Sequence, residues 1–343
     1  MIQKYLKMRN KILFSSLALV LAFFLSSCGS GVDDLLDLAD GVPRKDIDRS
    51  KLGTNAFFSE PEFGTVSEQF LEIRDDLKLR YVRALFAWTD SVQPTPSSEP
   101  NFGFYDEIAE SIPSGVDVIV VLSSLPSWMS NPANWVDGDP RKTFVEKWVI
   151  PVSQRYSANS RIIGWQIWNE PNMLANAENT TLGVATQAAN YVDMLSLAYL
   201  RIKSITPEKL VLNAATTAIN QNFPETINYN RAMRDAGAQL VTDRWTIHYY
   251  GELFENVARP DGVKDFFRSI DRPVWVTESG QRGTDKQLEY GERAWAFIID
   301  ELPNVERIYQ YRFVENAPAN DTWGLRNASA VPLSDLYVYL RDN

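Results

Sequence analysis

The 343-residue sequence contains a single cysteine and a single histidine. One cysteine excludes an internal disulfide framework, and one histidine leaves little room for the multi-histidine sites that bind zinc. Basic residues are also scarce: the formal charge is −10, which argues against a partner whose phosphates must be neutralised. We therefore expect no metal, no other cofactor and no nucleic-acid partner.

Glycine-rich phosphate-binding motifs and internal repeats are likewise absent. Neither G-x-G-x-x-G nor a P-loop occurs, which weakens a nucleotide-binding interpretation. The sequence is instead rich in aromatic residues, at 12%, and in hydrophobic residues, at 45%. This composition is typical of a folded globular protein and excludes a low-complexity chain.

The N-terminus has the features of a bacterial export signal. Four basic residues precede an apolar run from Ile12 to Leu25, which is too short to span a membrane core of ~30 Å. The run ends in Leu25-Ser26-Ser27-Cys28, which resembles the lipobox of bacterial lipoproteins, whose cysteine is acylated after cleavage. An ordinary signal peptide followed by an incidental cysteine is the alternative.

These features predict three segments. Residues 1–27 would be a lipoprotein signal peptide, and 28–50 a flexible tether rich in Gly and Asp, lipidated at Cys28 (for example by palmitate). Residues 51–343 would form the folded domain. Removal of the signal takes away four positive charges, so the mature charge would be −14. The lipid anchor would make the membrane a partner and place the protein at the bacterial cell envelope.

From Lys51 onward, short apolar runs alternate with amphipathic stretches, as in repeated β-α units. The pattern predicts strands over Leu52–Phe57, Tyr81–Phe86, Val116–Leu122, Ile162–Trp168, Leu210–Ala214, Trp245–His248, Val274–Thr277 and Ile308–Phe313. It predicts helices over Thr65–Leu77, Tyr105–Ile112, Arg141–Tyr156, Leu182–Ile205, Thr226–Ala236, Asp261–Ile270, Asp285–Leu302 and Ser334–Arg341. Eight such pairs favour an α/β fold of the (β/α)8 TIM-barrel type.

Two of the predicted strands end in a glutamate. Glu170 follows the fourth strand in Trp168-Asn169-Glu170-Pro171, and Glu278 ends the seventh in Thr277-Glu278-Ser279. Catalytic residues of TIM barrels project from the C-terminal ends of strands. A pair of carboxylates ~5–5.5 Å apart is what hydrolysis of a glycosidic bond with retention of configuration requires.

These motifs resemble those of the clan A glycoside hydrolases, and the likeness covers most of Lys51 to Asn343. The resemblance implies that Glu170 is the acid/base and Glu278 the nucleophile, and that Asn169 binds the sugar 2-hydroxyl. The segment around His248 and Tyr250 matches the clan's His-x-Tyr, with Tyr250 placed to hydrogen-bond the nucleophile. Arg83 matches the second-strand arginine. A core histidine and a structural ion pair are the alternatives for His248 and Arg83.

Tryptophans near the predicted strand ends are candidate sugar-stacking residues. Trp88, Trp128 and Trp135 follow the second and third strands, where a flat ring can cover a sugar face. Packing within the loops is the alternative for all three.

The sequence departs from the clan pattern at two strands. The third strand lacks the histidine that family 5 cellulases usually carry, and the eighth lacks the tryptophan that many members place under the −1 sugar. Tyr309, Tyr311 and Trp323 are possible substitutes. The residue sequence of these motifs most resembles that of family 39-like enzymes. This family includes β-xylosidases, α-L-iduronidases and bacterial exopolysaccharide endoglycosidases.

The resemblance leads us to expect a monomeric, retaining and endo-acting glycosidase with a polysaccharide or oligosaccharide substrate. A carbohydrate-binding lipoprotein without hydrolysis and a transglycosidase remain as alternatives. The acidic character of the mature chain makes a strongly anionic glycan a poor substrate, unless Arg282, Arg312 and Arg326 cluster in the groove.

Overall fold

Eight parallel strands form a nearly closed barrel in the computed structural model of the chain, which describes residues 41–302 and 304–343. The strands are β1 (Leu52–Asn55), β2 (Tyr81–Ala87), β3 (Asp117–Ser123), β4 (Ile162–Ile167), β5 (Leu210–Leu212), β6 (Trp245–Tyr250), β7 (Val274–Gly280) and β8 (Val305–Gln310). Neighbours follow the order β5-β4-β3-β2-β1-β8-β7-β6. The prediction of a TIM barrel is confirmed.

Between β5 and β6 the barrel is closed by an isolated backbone bridge and side-chain hydrogen bonds instead of a continuous ladder, and we call this junction the seam. A parallel bridge joins Leu212 to Arg244, just before β6. The Asn213 side chain then accepts a hydrogen bond from the Thr246 amide at 2.9 Å, while the Thr246 hydroxyl donates to the Asn213 carbonyl at 2.6 Å. Side chains thus replace part of the backbone ladder at this position.

The predicted eighth strand is displaced by three residues. It begins at Val305 rather than Ile308, because the Asn304 carbonyl already pairs with the Val274 amide at 2.7 Å. Glu306 and Arg307 obscured the apolar pattern of this strand. The Arg307 guanidinium is held between the rings of Tyr81 and Trp275, 3.8 and 4.2 Å from their centroids, so a charged residue occupies a place among aromatic rings.

Helices surround the barrel in the expected order. They are α1 (Val66–Leu71), α2 (Gly103–Ser111), α3 (Pro140–Phe144), α4 (Ile150–Arg155), α5 (Ala177–Thr181), α6 (Ala188–Ile205), α7 (Glu225–Asp235), α8 (Glu255–Ala258), α9 (Val263–Arg268), α10 (Gln287–Tyr290), α11 (Ala296–Glu301) and α12 (Asp335–Asp342). π-helical turns extend α1 and join α3 to α4 and α10 to α11. The helix predicted from Leu182 starts only at Ala188, since Gly183 has a φ of +67° that ends the preceding turn.

Part of the predicted tether packs against the barrel. The Lys45 amide donates to the Glu292 carbonyl at 2.9 Å, and the Arg293 side chain donates to the Val42 carbonyl at 3.1 Å. Ile47 packs against the hydrophobic core. The folded part of the chain therefore begins before Lys51. The signal peptide and Cys28 lie outside the described residues, and within the described ranges no helix has the length and apolarity to cross a membrane.

The interior of the barrel changes from apolar to polar towards the C-terminal ends of the strands. A small apolar cluster contains Ile119, Leu212, Trp275 and Tyr309. Buried polar side chains include Asn55, Arg83, Gln166, Thr246 and Thr277, which are linked to one another by hydrogen bonds. This polar layer supports the two predicted catalytic glutamates.

Candidate active site

Glu170 and Glu278 are close together at the C-terminal ends of the strands. Glu278 lies within β7 and Glu170 three residues after the last residue of β4. One carboxylate oxygen of each, together with a nitrogen of His248, forms a group whose atoms all lie within 4.8 Å of one another. The structure therefore brings together the two carboxylates that were selected from their positions at predicted strand ends.

His248 connects the two glutamates. It belongs to β6 and is fully buried. Its Nδ1 lies 2.9 Å from Glu170 Oε1, and its Nε2 lies 3.4 Å from Glu278 Oε1. The Nδ1–Glu170 contact is a hydrogen bond, whereas Nε2 lies near Glu278 without forming one. The three side chains are close enough together to be metal ligands, but hydrogen bonds from Arg83, Tyr250 and His248 already engage oxygens of both carboxylates.

Arg83 donates hydrogen bonds to four side chains of the site. Its guanidinium is 2% exposed. It donates to Glu278 Oε1 and Asn55 Oδ1, both at 2.7 Å, and to Gln166 Oε1 and Asn169 Oδ1, both at 2.8 Å. The planar fork of arginine can satisfy four acceptors in fixed directions, which a lysine cannot do. Asn55 and Gln166, which belong to no recognisable motif, are thus part of the site.

The surroundings of Glu278 favour its ionised form. Burial would raise the pKa of this carboxyl, but the His248 and Arg83 charges and hydrogen bonds from Arg83 and Tyr250 outweigh burial and hold the pKa below its usual value. The Tyr250 hydroxyl donates to Glu278 Oε2 at 2.9 Å. Burial and the neighbouring Glu278 charge raise the pKa of Tyr250 well above 10, so the phenol keeps its proton.

Asn169 is oriented by Arg83. Because Asn169 Oδ1 accepts from the guanidinium, its Nδ2 is the group left to donate to a ligand. Trp168 and Glu170, on either side, both have positive φ angles, of 73° and 44°. The Trp168 amide donates to the Leu122 carbonyl at 2.8 Å and the Glu170 amide to the Ala215 carbonyl at 2.9 Å. Bonds from two neighbouring strand ends thus hold this turn in place.

An aromatic wall, which we define as Phe57, Tyr250, Tyr311 and Trp323, lies on the Glu278 side of the site. All four rings are half-buried. The Tyr250 ring centroid is 5.1 Å from that of Trp323 and 6.3 Å from that of Tyr311. Of the three possible substitutes for the missing eighth-strand tryptophan, Tyr311 and Trp323 therefore lie at the site. Tyr309 is fully buried in the apolar cluster of the barrel and does not.

For Trp88 the structure supports the alternative, packing within the fold, rather than a sugar-stacking surface. The residue is fully buried, its ring stacks parallel to that of Trp148 and it donates a hydrogen bond to Gln93. Trp88 directly follows β2 and packs between that strand and the π-helical turn after α3. Its position after a strand does not by itself indicate this burial. Trp128 is half-buried, lies edge-on to Trp88 and remains a candidate.

The three arginines that could form an anion-binding cluster are each paired with a carboxylate. Arg282 pairs with Asp321, Arg312 with Glu60 and Arg326 with Glu72. Arg282 also stacks over the Trp323 ring, 5.2 Å from its centroid. These residues therefore bring little uncompensated positive charge to the groove.

A TIM barrel with a glutamate at the ends of its fourth and seventh strands defines a clan A glycoside hydrolase. The family model described as cellulase (glycosyl hydrolase family 5) matches residues 50–310. The chain belongs to this family. No curated protein matches the sequence.

Solved structures with the same fold come from several glycosidase families. A family 39 glycoside hydrolase from Bacteroides cellulosilyticus has a TM-score of 0.60 at 17% identity, over 88% of this chain and 65% of its own. A monomeric β-xylosidase from Caulobacter crescentus has 0.61 at 16%, over 87% and 69%. An endo-1,4-β-mannanase from Rhizomucor miehei has 0.56 at 16%, over 88% and 99%. The chain thus spans just under two thirds of the family 39 enzyme, and these likenesses show the fold alone.

Proposed function

We propose that the protein is a retaining glycosidase that acts by double displacement, with Glu278 as nucleophile and Glu170 as acid/base. The observation that carries this proposal is the spacing of the two carboxylates, which have oxygens within 4.8 Å of each other. Retaining enzymes hold their carboxyl groups ~5–5.5 Å apart, whereas inverting enzymes need ~6.5–9.5 Å to admit a water molecule.

In the first step, a Glu278 oxygen attacks the anomeric carbon as the bond to the leaving oxygen breaks. Glu170 gives its proton to that oxygen, and a glycosyl ester forms on Glu278. In the second step, Glu170 takes a proton from water, whose oxygen attacks the anomeric carbon and releases Glu278. The low pKa of Glu278 supports its role, because the nucleophile must be ionised.

Asn169 and the aromatic wall would bind the sugar next to Glu278. The Asn169 amide nitrogen is the donor we assign to the 2-hydroxyl, an interaction that strengthens as charge develops on the ring. Tyr311 and Trp323 offer ring faces for the apolar side of a pyranose.

The substrate class that we infer is a neutral β-linked polysaccharide or oligosaccharide. The cellulase family model, and structural neighbours named as a β-xylosidase and an endo-1,4-β-mannanase, support β-linked glycans. The pairing of Arg282, Arg312 and Arg326 with carboxylates disfavours anionic sugars. We further propose endo action by a monomer.

We also propose that the mature chain is anchored through an acylated Cys28 at the bacterial cell envelope. The support for this location is the order of the N-terminal sequence: basic residues, a short apolar run and the lone cysteine at the cleavage point. Expressed in a bacterium fed labelled palmitate, the full-length chain should incorporate label and fractionate with membranes. A Cys28→Ser variant should lose both properties, and label retained by that variant would exclude the anchor.

The enzymatic proposal is tested by product analysis on soluble cellulosic glucan, xylan and mannan. Reducing ends should appear, and NMR of the first product should show the β-anomer before mutarotation. Glu170→Gln and Glu278→Gln should each remove nearly all activity, whereas Glu62→Gln, an exposed carboxyl side chain on the loop after β1, should not.

Three results would point elsewhere. An α-anomer as first product would exclude retention. Tight binding of a glycan by the wild type without hydrolysis would favour the carbohydrate-binding alternative, and products longer than the substrate would favour transglycosylation. Labelling by a 2-fluoro glycoside at a residue other than Glu278 would overturn the assignment of the nucleophile.

A further inference from the structure

A buried asparagine lies directly behind the proposed acid/base. Asn179 belongs to α5, nine residues after Glu170, and is fully buried. Its Oδ1 accepts a hydrogen bond from the Trp168 indole at 2.7 Å. Its Nδ2 donates to the carbonyls of Glu170 at 2.8 Å and Met173 at 3.0 Å. Every hydrogen bond of the Asn179 side-chain amide is thus made with residues 168–173.

The segment that Asn179 contacts has an unfavourable backbone. Trp168 and Glu170 both lie in the left-handed region, which is disfavoured for residues other than glycine by about 1–3 kcal/mol each. Such a conformation persists only where its surroundings fix it. The Asn179 amide bonds to the side chain of one of these two residues and to the backbone of the other, so it restrains both.

Asn179 is itself held in place. The Asn176 side chain caps the start of α5 at the Glu178 amide, at 2.9 Å. The Glu178 carboxylate accepts from the Leu125 amide in the loop after β3, at 3.0 Å. The Asn179 carbonyl accepts from the Val184 amide, at 2.9 Å. A side chain fixed at its base can impose a position on the groups that it contacts.

We propose that Asn179 is a positioning residue that holds the Glu170 carboxyl where it can exchange a proton with the glycosidic oxygen. This inference rests on the acid/base role proposed above. Asn179 acts through the Trp168 side chain and the Glu170 backbone, since its bonds reach the Trp168 indole and the Glu170 carbonyl and not the Glu170 carboxylate. Release of this restraint lets the carboxyl move, and a displacement of about 1 Å can lower a rate by roughly 10²-fold.

Leaving-group dependence separates this role from a merely structural one. A glycoside of phenol needs a proton on its leaving oxygen, whereas one of 2,4-dinitrophenol leaves unaided. We would compare both glycosides of the sugar that the wild type hydrolyses, in Asn179→Ala and in Asn179→Asp, which has nearly the same shape but lacks the amide donors. Glu170→Ala is the reference for a missing acid. Asn159→Ala is the matched control, because Asn159 also bonds to backbone groups, but at the opposite end of β4.

For the Asn179 variants, kcat/KM on the phenyl glycoside should fall about 10²-fold and kcat/KM on the dinitrophenyl glycoside should be largely spared. With the dinitrophenyl glycoside, kcat and KM should fall together as the glycosyl enzyme accumulates, and azide should restore kcat. Equal losses on both glycosides, or no loss beyond that of Asn159→Ala, would overturn the inference. If Glu170→Ala itself shows no leaving-group dependence, the proposed function fails instead. Should Asn179→Ala prove unfolded by circular dichroism, the Asp variant decides.

Discussion

Replacement of Arg83 by methionine should make the ionised form of Glu278 unfavourable. In the wild type, the buried guanidinium lies 2.7 Å from Glu278 Oε1 and holds the Asn169 amide. Methionine fills a similar volume but carries no charge. The variant would keep a buried carboxylate without its strongest cationic hydrogen-bond partner, while His248 and Tyr250 remain.

The expected loss of stability is large. Removal of one partner from a buried ion pair costs about 3–5 kcal/mol, because the other charge is left uncompensated. Unfolding entropy of about 2 cal/mol/K per residue converts 3 kcal/mol into a fall in Tm of roughly 5 °C for a domain of this size. The exposed pair of Arg74 and Asp75 on the π-helical turn after α1 is a suitable control, since Arg74→Met should cost less than about 1 kcal/mol.

The pH dependence has a definite sign. The pKa of Glu278 is lowered in the folded wild type, so its carboxylate stabilises the fold above the unfolded pKa and loses that effect as pH falls through the folded pKa. Loss of Arg83 raises the folded pKa. The acidic limb of the pH profile of kcat/KM should therefore move to higher pH, and the stability difference from the wild type should shrink in acid.

Urea unfolding at several pH values and pH–rate profiles would measure both effects. The double variant Arg83→Met/Glu278→Gln should recover much of the lost stability, because it removes the uncompensated charge. An acidic limb unchanged by Arg83→Met, together with no recovery in the double variant, would refute the assigned coupling between these two residues.

Three further predictions concern single side chains. Tyr250→Phe should lower kcat/KM roughly ten- to a hundredfold, because a hydrogen bond to a charged group contributes about 1.5–3 kcal/mol; steady-state kinetics equal to the wild type would contradict this role. Trp323→Ala should weaken oligosaccharide binding by about 1 kcal/mol in calorimetry on an inactive Glu170→Gln background, and unaltered affinity would remove Trp323 from the sugar site. Trp88→Ala should destabilise the fold by about 3–5 kcal/mol in urea unfolding yet leave sugar affinity unchanged, and a large loss of affinity would restore it as a binding residue.

The fold was predictable because strands that are buried on both faces appear in the sequence as short continuous apolar runs. Seven of the predicted strands overlap the observed ones at their starts to within one residue. β8 was displaced because Arg307 is stabilised by two aromatic rings, a solution that a hydropathy pattern cannot show. The helix predicted from Leu182 begins only at Ala188, because Gly183 ends one turn before that helix begins.

The site was predictable only where motifs follow strand ends. Glu170 and Glu278 could be chosen in this way, and the structure brings them together. The contact of His248 with both carboxylates depends on three strands that are far apart in sequence. Asn179 carries no motif, and its relevance comes entirely from the backbone that it contacts. The packing of Trp88 could not be decided from the sequence because burial of a strand-end residue depends on helices packed outside the barrel.

The seam between β5 and β6 has a consequence for the way the proposed activity would be lost on heating. The side-chain nitrogen of Gln166, Nε2, donates to the Asn213 carbonyl and to the Thr246 hydroxyl at the seam, while its side-chain oxygen, Oε1, accepts from Arg83. The seam between β5 and β6 and the side chains that support the proposed nucleophile are therefore one hydrogen-bonded unit. Amide hydrogens of β5 should exchange before those of β2 and β3, and catalysis should fail at the temperature where that local opening begins, below the temperature of global unfolding.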